Sequence, residues 1–401
     1  MGFCLNKELE GIVDKLTSIE KIGFFFGAGT SMALGMPGII KLTSDVLLKV
    51  GYKDKISEIS KQIKTEKIKN GQNPDNVVIT IEDILNKIRI IRELTNDVSE
   101  YSYCGISGDE AKQLDIDICK EIYQILFEKQ NSVDDKILIP LKFASWLNGV
   151  QTNCPKEIFT ANYDLILEMA MEKLYIPFFD GFVGAYKPFF FQESVESTDS
   201  NQVVPSNWIR LWKIHGSLGW FWEKEEHGYR IIRLSDMKIE DLENELVIYP
   251  SKEKYHASRK QPFISYFDRM KRFLNQSEGI FIISGYSFGD EHINDAIYES
   301  LTRNSRMHIM AFMYTDDSLD AIIDKAILYP NLSVFSPTKA IIGGKSDVWL
   351  FDLKKIEDNG FKAYVEDDNL KLGDFELLVD FLIENSGRKR DIITNVGDVN
   401  D

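Results

Sequence analysis

Apolar residues recur along this chain with two different periods, and the change between them divides it into regions. From Lys7 to Ser18, Leu9, Ile12, Val13 and Leu16 fall on one helical face, which predicts an amphipathic helix. The next apolar run, Ile22 to Phe26, is short and continuous, which predicts a strand that ends at Gly27-Ala28-Gly29. Helical spacing dominates again from about Leu42 to Phe127, where Thr80-x-x-Asp83 and Ser107-x-x-Glu110 have the form of capping boxes. Strand-like runs then return at Glu157 to Asp164, Ile209 to Ser217, Glu245 to Ser251, Gly279 to Ser287, Met307 to Thr315 and Asn331 to Pro337. Several are apolar throughout, as strands covered on both faces are, and helix-like segments such as Leu165 to Leu174 and His292 to Asn304 separate them. The pattern predicts an α/β fold: a Rossmann-like, doubly wound parallel sheet with a helical insertion at about residues 42–145. The main unit is expected to span residues 1–335. Residues 336–401, which begin near a Gly-Gly turn, are expected to form a small α/β segment suited to assembly.

Composition narrows the classes. The chain has 401 residues, 44% of them hydrophobic, enough for one large core and a smaller second unit. Its longest apolar runs are strand-sized and fall short of the ~20 residues that span a bilayer. The start, MGFCLNKELE, has no basic stretch followed by an apolar one, and Asn6 stands where a myristoylation signal has Ser or Thr. A cytoplasmic protein without membrane attachment is expected. The cysteines Cys4, Cys104, Cys119 and Cys154 are far apart, and the five histidines form no metal-spaced pair, so no metal site is expected. A formal charge of −16 argues against direct nucleic-acid binding, because phosphate neutralisation dominates non-specific affinity. The one Lys-rich stretch, Lys53 to Asn70, interleaves six Lys with three acids and reads as a solvated helix face.

In an open α/β sheet, ligands bind beyond the carboxyl ends of the strands, so the residues that follow each strand matter most. Gly27-Ala28-Gly29-Thr30-Ser31 follows the first. It is not a Walker loop, because Met32, Ala33 and Leu34 follow Ser31 where a Lys would be needed. It is half of a Gly-x-Gly-x-x-Gly fingerprint, with Met32 in the third glycine's place. An ordinary strand-to-helix turn capped by Thr30 or Ser31 is the plain alternative. The later strands are followed by Thr160-Ala161-Asn162-Tyr163-Asp164, by His215-Gly216-Ser217, and by Ser284-Gly285-Tyr286-Ser287-Phe288-Gly289-Asp290. Taken singly, Asn162 reads equally as a helix cap, His215 as a core imidazole, and Ser287 with Asp290 as a capping box.

Taken in order, these motifs resemble the sirtuin fold, in particular its divergent bacterial defence branch, with loops of the form T-x-N-Y-D and HGS-x-x-W. Here they stand as Thr160 to Asp164 and His215 to Trp220, and the resemblance covers roughly residues 20–300. The protein deacetylases of the family have Asp-Phe-Arg after the loop proline, Gln before the Asn, and a four-cysteine zinc module. This chain has Gly38-Ile39-Ile40 after Pro37, Ala161 before Asn162, and scattered cysteines. Those departures disfavour a deacylase.

The resemblance implies an NAD+ hydrolase that cleaves NAD+ to nicotinamide and ADP-ribose in anti-phage defence. It implies that Asn162 and His215 are catalytic: Asn162 would orient ribose hydroxyls or water, and His215 would act as general base. The implied nucleotide contacts are Gly27, Ala28, Gly29, Thr30 and Ser31 at the diphosphate, Asp164 at the carboxamide, and Gly285 and Ser287 at the adenosine side. The chain's length resembles the sirtuin-like subunit that pairs with a HerA-type hexameric DNA-translocating ATPase, which implies that partner and a homo-oligomer. An NAD- or ADP-ribose-binding sensor without turnover is the main alternative.

Overall fold

A computed structural model describes residues 2–18, 20–71, 73–133, 136–196, 204–226, 228–234, 246–248 and 261–386. The main sheet has ten strands, numbered here along the chain: β1 (Phe3–Cys4), β2 (Ile22–Phe26), β3 (Glu157–Thr160), β4 (Phe178–Phe179), β5 (Ile209–Lys213), β6 (Gly279–Ser284), β7 (Met307–Phe312), β8 (Leu332–Phe335), β9 (Lys339–Ile342) and β10 (Lys345–Leu350). Their order across the sheet is β1-β10-β9-β8-β7-β6-β2-β3-β5-β4. From β8 across to β4 every pairing is parallel, whereas β9 pairs antiparallel with both β8 and β10. The chain leaves β2 for β3 and β5 on one side and later returns for β6, β7 and β8 on the other. The winding therefore reverses between β2 and β6, and the carboxyl ends of these two strands border the crevice where such sheets take ligands.

The continuous apolar runs are strands because both faces of the sheet are covered. All five residues of β2 are buried. Phe24 and Phe26 point to one face, against Phe143, and Phe24 also meets Trp146. Phe25 points to the other, against Tyr286 at a ring separation of 4.8 Å. A period of two places successive side chains on opposite faces, so this FFF run serves two cores at once.

The helical region contains Ile39–Lys49, Lys53–Lys69, Ile81–Thr95, Gly108–Gln130 and Leu138–Gly149. The Thr80–Asp83 capping box forms as its spacing predicts. The Lys-rich helix buries Ile56, Ile59 and Ile63 and sets Lys67 against Asp83 at 2.6 Å, with most of its remaining lysines at the surface.

One expectation is corrected. The run Glu245 to Ser251 is not a strand of the main sheet: Leu246–Ile248 joins a separate five-stranded sheet with Phe182–Val183, Phe189–Phe190, Gly216–Glu225 and Gly228–Arg233, and the run's remaining residues lie outside the described ones. β9 and β10 extend the main sheet, and the helix Phe375–Asn385 packs Phe375 on Phe26 at 5.3 Å between ring centres.

Candidate active site at the carboxyl ends of the strands

The glycine turn and the loop after β6 approach each other backbone to backbone. The Gly27 N–H donates to the Ser284 carbonyl at 3.0 Å and the Gly29 N–H to the Gly285 carbonyl at 2.8 Å. Only glycine permits this approach. A Cβ on Gly27 would lie 2.5 Å from the Gly285 oxygen, and one on Gly285, which has φ +65°, would lie 2.3 Å from the Thr30 nitrogen. The two glycines of the turn are thus required by loop packing. Three of the amides expected at a diphosphate are engaged within the protein, because the Thr30 N–H also donates, to the Gly27 carbonyl at 3.1 Å. Ala28 stays exposed at the start of the helix Ala28–Ala33, so Thr30 and Ser31 lie inside that helix and do not cap it.

The hydroxyls of the turn reach toward β3. Asn162 donates through Nδ2 to the Gly27 carbonyl and to Thr30 Oγ1, each at 3.0 Å. Ser31 Oγ donates to Asp164 Oδ2 at 2.6 Å, and Asp164 Oδ1 accepts from the Ile166 N–H at 3.2 Å. Asn162 is not a helix cap, since the helix after it starts at Ile166 with Leu165 at the cap position. Thr160 ties the group down: its Oγ1 donates to the Phe26 carbonyl and accepts from the Asn162 N–H, both at 3.0 Å.

Beneath this turn is Lys213, the last residue of β5 and almost fully buried. Its ammonium donates to the Asp164 carbonyl and pairs with Glu168 at 3.0 Å. Burial pushes the Glu168 carboxyl above its usual range, against the pull of Lys213. Thr30, Ser31, Asn162, Asp164, Lys213 and Phe375 are among the residues around a cavity of about 20 Å³. That size suits one water molecule and is far below the several hundred Å³ of a pocket that encloses a cofactor.

His215 sits at a corner. β5 ends at Lys213, and Gly216, with φ +95°, turns the chain out of the main sheet into the strand Gly216–Glu225 of the second. The imidazole is 18% exposed, and its Nε2 lies 3.1 Å from Asp290 Oδ2. Asp290, rather than Ser287, caps the helix Glu291–Arg303, its Oδ1 accepting from the His292 and Ile293 N–H groups at 3.0 and 3.4 Å.

The structure thus gathers Gly27, Gly29, Thr30, Ser31, Asn162, Asp164 and Gly285 into one bonded group and joins His215 to Asp290. Ser287 is exposed and stands outside that group. Lys213, Glu168 and Phe375 are the residues that sequence reasoning missed, and Asp290, read there as part of a capping box, was not expected beside His215. A lysine ending the strand-like run Ile209 to Lys213 was a usable signal for one of them. Phe375 carried none, being more than 200 residues from Asn162 along the chain.

Residues 156–332 match a family model described as a SIR2-like domain. The match supports a Sir2-like family. It contains Asn162, Asp164, His215, Gly285 and Ser287, while the glycine turn precedes it. SIR2-like domains are in general NAD-dependent enzymes, so the match points to NAD-related chemistry. No curated protein matches the chain. Among the described residues no group of three or more His, Cys, Asp or Glu side chains is placed to hold a metal, and no helix is long and apolar enough to cross a membrane.

Proposed function

We propose that this protein hydrolyses NAD+ to nicotinamide and ADP-ribose. The observation that carries the reading is the placement of Asn162 and His215 on neighbouring strand ends, beside the crevice where the glycine turn meets the Gly285 loop. The glycosidic bond to nicotinamide breaks through an oxocarbenium-like centre with a neutral leaving group, so the reaction needs ribose positioning and a placed water more than acid catalysis. Both N–H groups of Asn162 are spent on the glycine turn, which leaves its carbonyl oxygen to accept from a ribose hydroxyl or water. His215 takes the proton. The cavity of about 20 Å³ is too small for a dinucleotide, so NAD+ would be received on the outer side of these loops, where Ala28 and Ser287 are exposed.

The departures from the deacetylase motifs favour hydrolysis over acyl-lysine chemistry. With the resemblance come further expectations: a cytoplasmic, homo-oligomeric effector that depletes NAD+ in anti-phage defence, controlled by a HerA-type ATPase that supplies the DNA contact this acidic chain is poorly charged for. The test is nicotinamide release from NAD+ by the pure protein, with and without a co-purified ATPase. Turnover that His215→Ala abolishes supports the reading, and absence of nicotinamide release under both conditions rejects it. One observation favours a second reading, an NAD or ADP-ribose sensor: both Asp164 oxygens and three turn amides already have protein partners. Thermal stabilisation by NAD+ or ADP-ribose without nicotinamide release would identify it.

A further inference from the structure

We propose that Phe375 determines access to the site: carried by the helix Phe375–Asn385, it fills the inner end, and NAD+ is turned over only when the first turn of that helix tilts away. This rests on the hydrolytic reading above. Thr30, Ser31, Asn162 and Asp164, the side chains expected to meet the nucleotide, all border the cavity of about 20 Å³. One water molecule fits there, whereas an aromatic ring needs a cavity on the order of 150 Å³. Phe375 borders the same space and is buried, its ring centre 5.3 Å from that of Phe26 and 6.2 Å from that of Phe143.

The walls of the cavity decide which part can yield. Phe26, Leu34, Ile166 and Leu167 lie on β2, at the end of the helix Ala28–Ala33 and on the helix Ile166–Lys173. Moving any of these displaces the glycine turn or the Asp164 loop with it. Phe375 comes from beyond the stretch 156–332 that matches the SIR2-like domain. Its withdrawal leaves the bonds from Asn162 to Thr30 and from Ser31 to Asp164 in place. The helix behind it is held at two levels. Leu378, Val379, Phe381 and Leu382 are buried, so opening is a tilt and not a release of the element. Two polar bonds to the helix Leu138–Gly149 oppose the tilt: Lys142 Nζ donates to Asp380 Oδ1 at 2.9 Å, each side chain about a third exposed, and Trp146 Nε1 donates to Ser386 Oγ at 3.0 Å. Bonds of this kind contribute modestly, which suits a closed state that can open. The cap of the first turn travels with it, because Asp374 Oδ1 accepts from the Glu376 and Leu377 N–H groups.

Two changes to the full chain test this from different sides, with NAD+ as the probe. Phe375→Leu shortens the side chain at the cavity while keeping an apolar contact with Phe26. Asp380→Ala combined with Ser386→Ala removes both polar bonds at residues that do not border the cavity. Each is expected to lower the Kd for NAD+ and raise kcat/KM by about three- to tenfold, because apparent affinity scales with the fraction of molecules in the open state. A merely structural Phe375 gives no such gain. Unchanged NAD+ affinity in both folded variants overturns the proposal, as does weaker binding with lower kcat/KM in Phe375→Leu, which would make Phe375 a required wall. If Phe375→Leu does not fold, the double variant decides. If no form releases nicotinamide but both variants bind NAD+ more tightly, the hydrolytic reading fails and the gate stands.

Discussion

The Asn162 side chain holds Thr30 through a 3.0 Å hydrogen bond to its hydroxyl, so the residue expected to meet substrate also fixes the turn expected to carry it. Binding geometry and local stability are coupled at this one amide. Asn162→Ala is therefore expected to remove nicotinamide release and also to lower unfolding free energy by about 1–3 kcal/mol, the cost of leaving partly buried groups with fewer partners. Activity assays paired with urea denaturation check both parts, and an active Ala variant would exclude Asn162 from the chemistry.

The Gly285 loop has no room for a side chain where it meets Thr30. Gly285→Ala should destabilise the fold by about 2–4 kcal/mol through a strained positive φ and a backbone clash. Gly289→Ala, whose Cβ would lie 3.4 Å from Ser287 Oγ, is the control and should change stability by less than about 1 kcal/mol. Equal melting temperatures for the two variants would contradict the packing described.

Lys213 and Glu168 form an ion pair in which the ammonium is 2% and the carboxylate 14% exposed. Lys213→Met strands a carboxylate, one of whose oxygens is already buried without a hydrogen-bond partner, and should cost roughly 3–5 kcal/mol. Adding Glu168→Leu should recover much of that loss, because the desolvation penalty goes with the charge. A double-mutant cycle in urea measures the coupling, and additive losses would show the pair to be independent.

The helical region contains a pH-sensitive element. Burial opposes ionisation of Asp115, but Arg89 at 3.2 Å and Arg92 at 2.7 Å outweigh it and hold the carboxyl below its usual value of 3.8. A depressed folded-state pKa stabilises the fold above the unfolded value, and that contribution is lost as pH falls from about 3.8 through the folded value. Denaturation curves between pH 6 and about pH 3 should show the wild type losing more stability than Asp115→Asn. Parallel losses would place the acid sensitivity elsewhere.

Most of the fold was legible because its strands are buried on both faces. Ile22 to Phe26 reads as a strand from composition alone and is one with the same limits. The helices Glu291–Arg303 and Ile166–Lys173 fall within a residue of their expected ends. The corner at His215 was less legible: apolar residues continue past Ile214, and only the positive φ of Gly216 reveals that the chain changes sheets there.

The sequence by itself determined which groups stand at the strand ends, because strand length and the residue after each strand are local properties. The motif order that resembles sirtuins lies entirely in those positions. Only the tertiary structure decided what these groups touch. Asp290 reads locally as part of a cap and becomes the partner of His215 because the winding reverses between β2 and β6 and brings two distant loops together. Gly27 and Gly29 read locally as a phosphate turn, and the structure shows them making room for Gly285 and Ser284. Contacts of this kind depend on strand order, which hydrophobic periodicity does not encode.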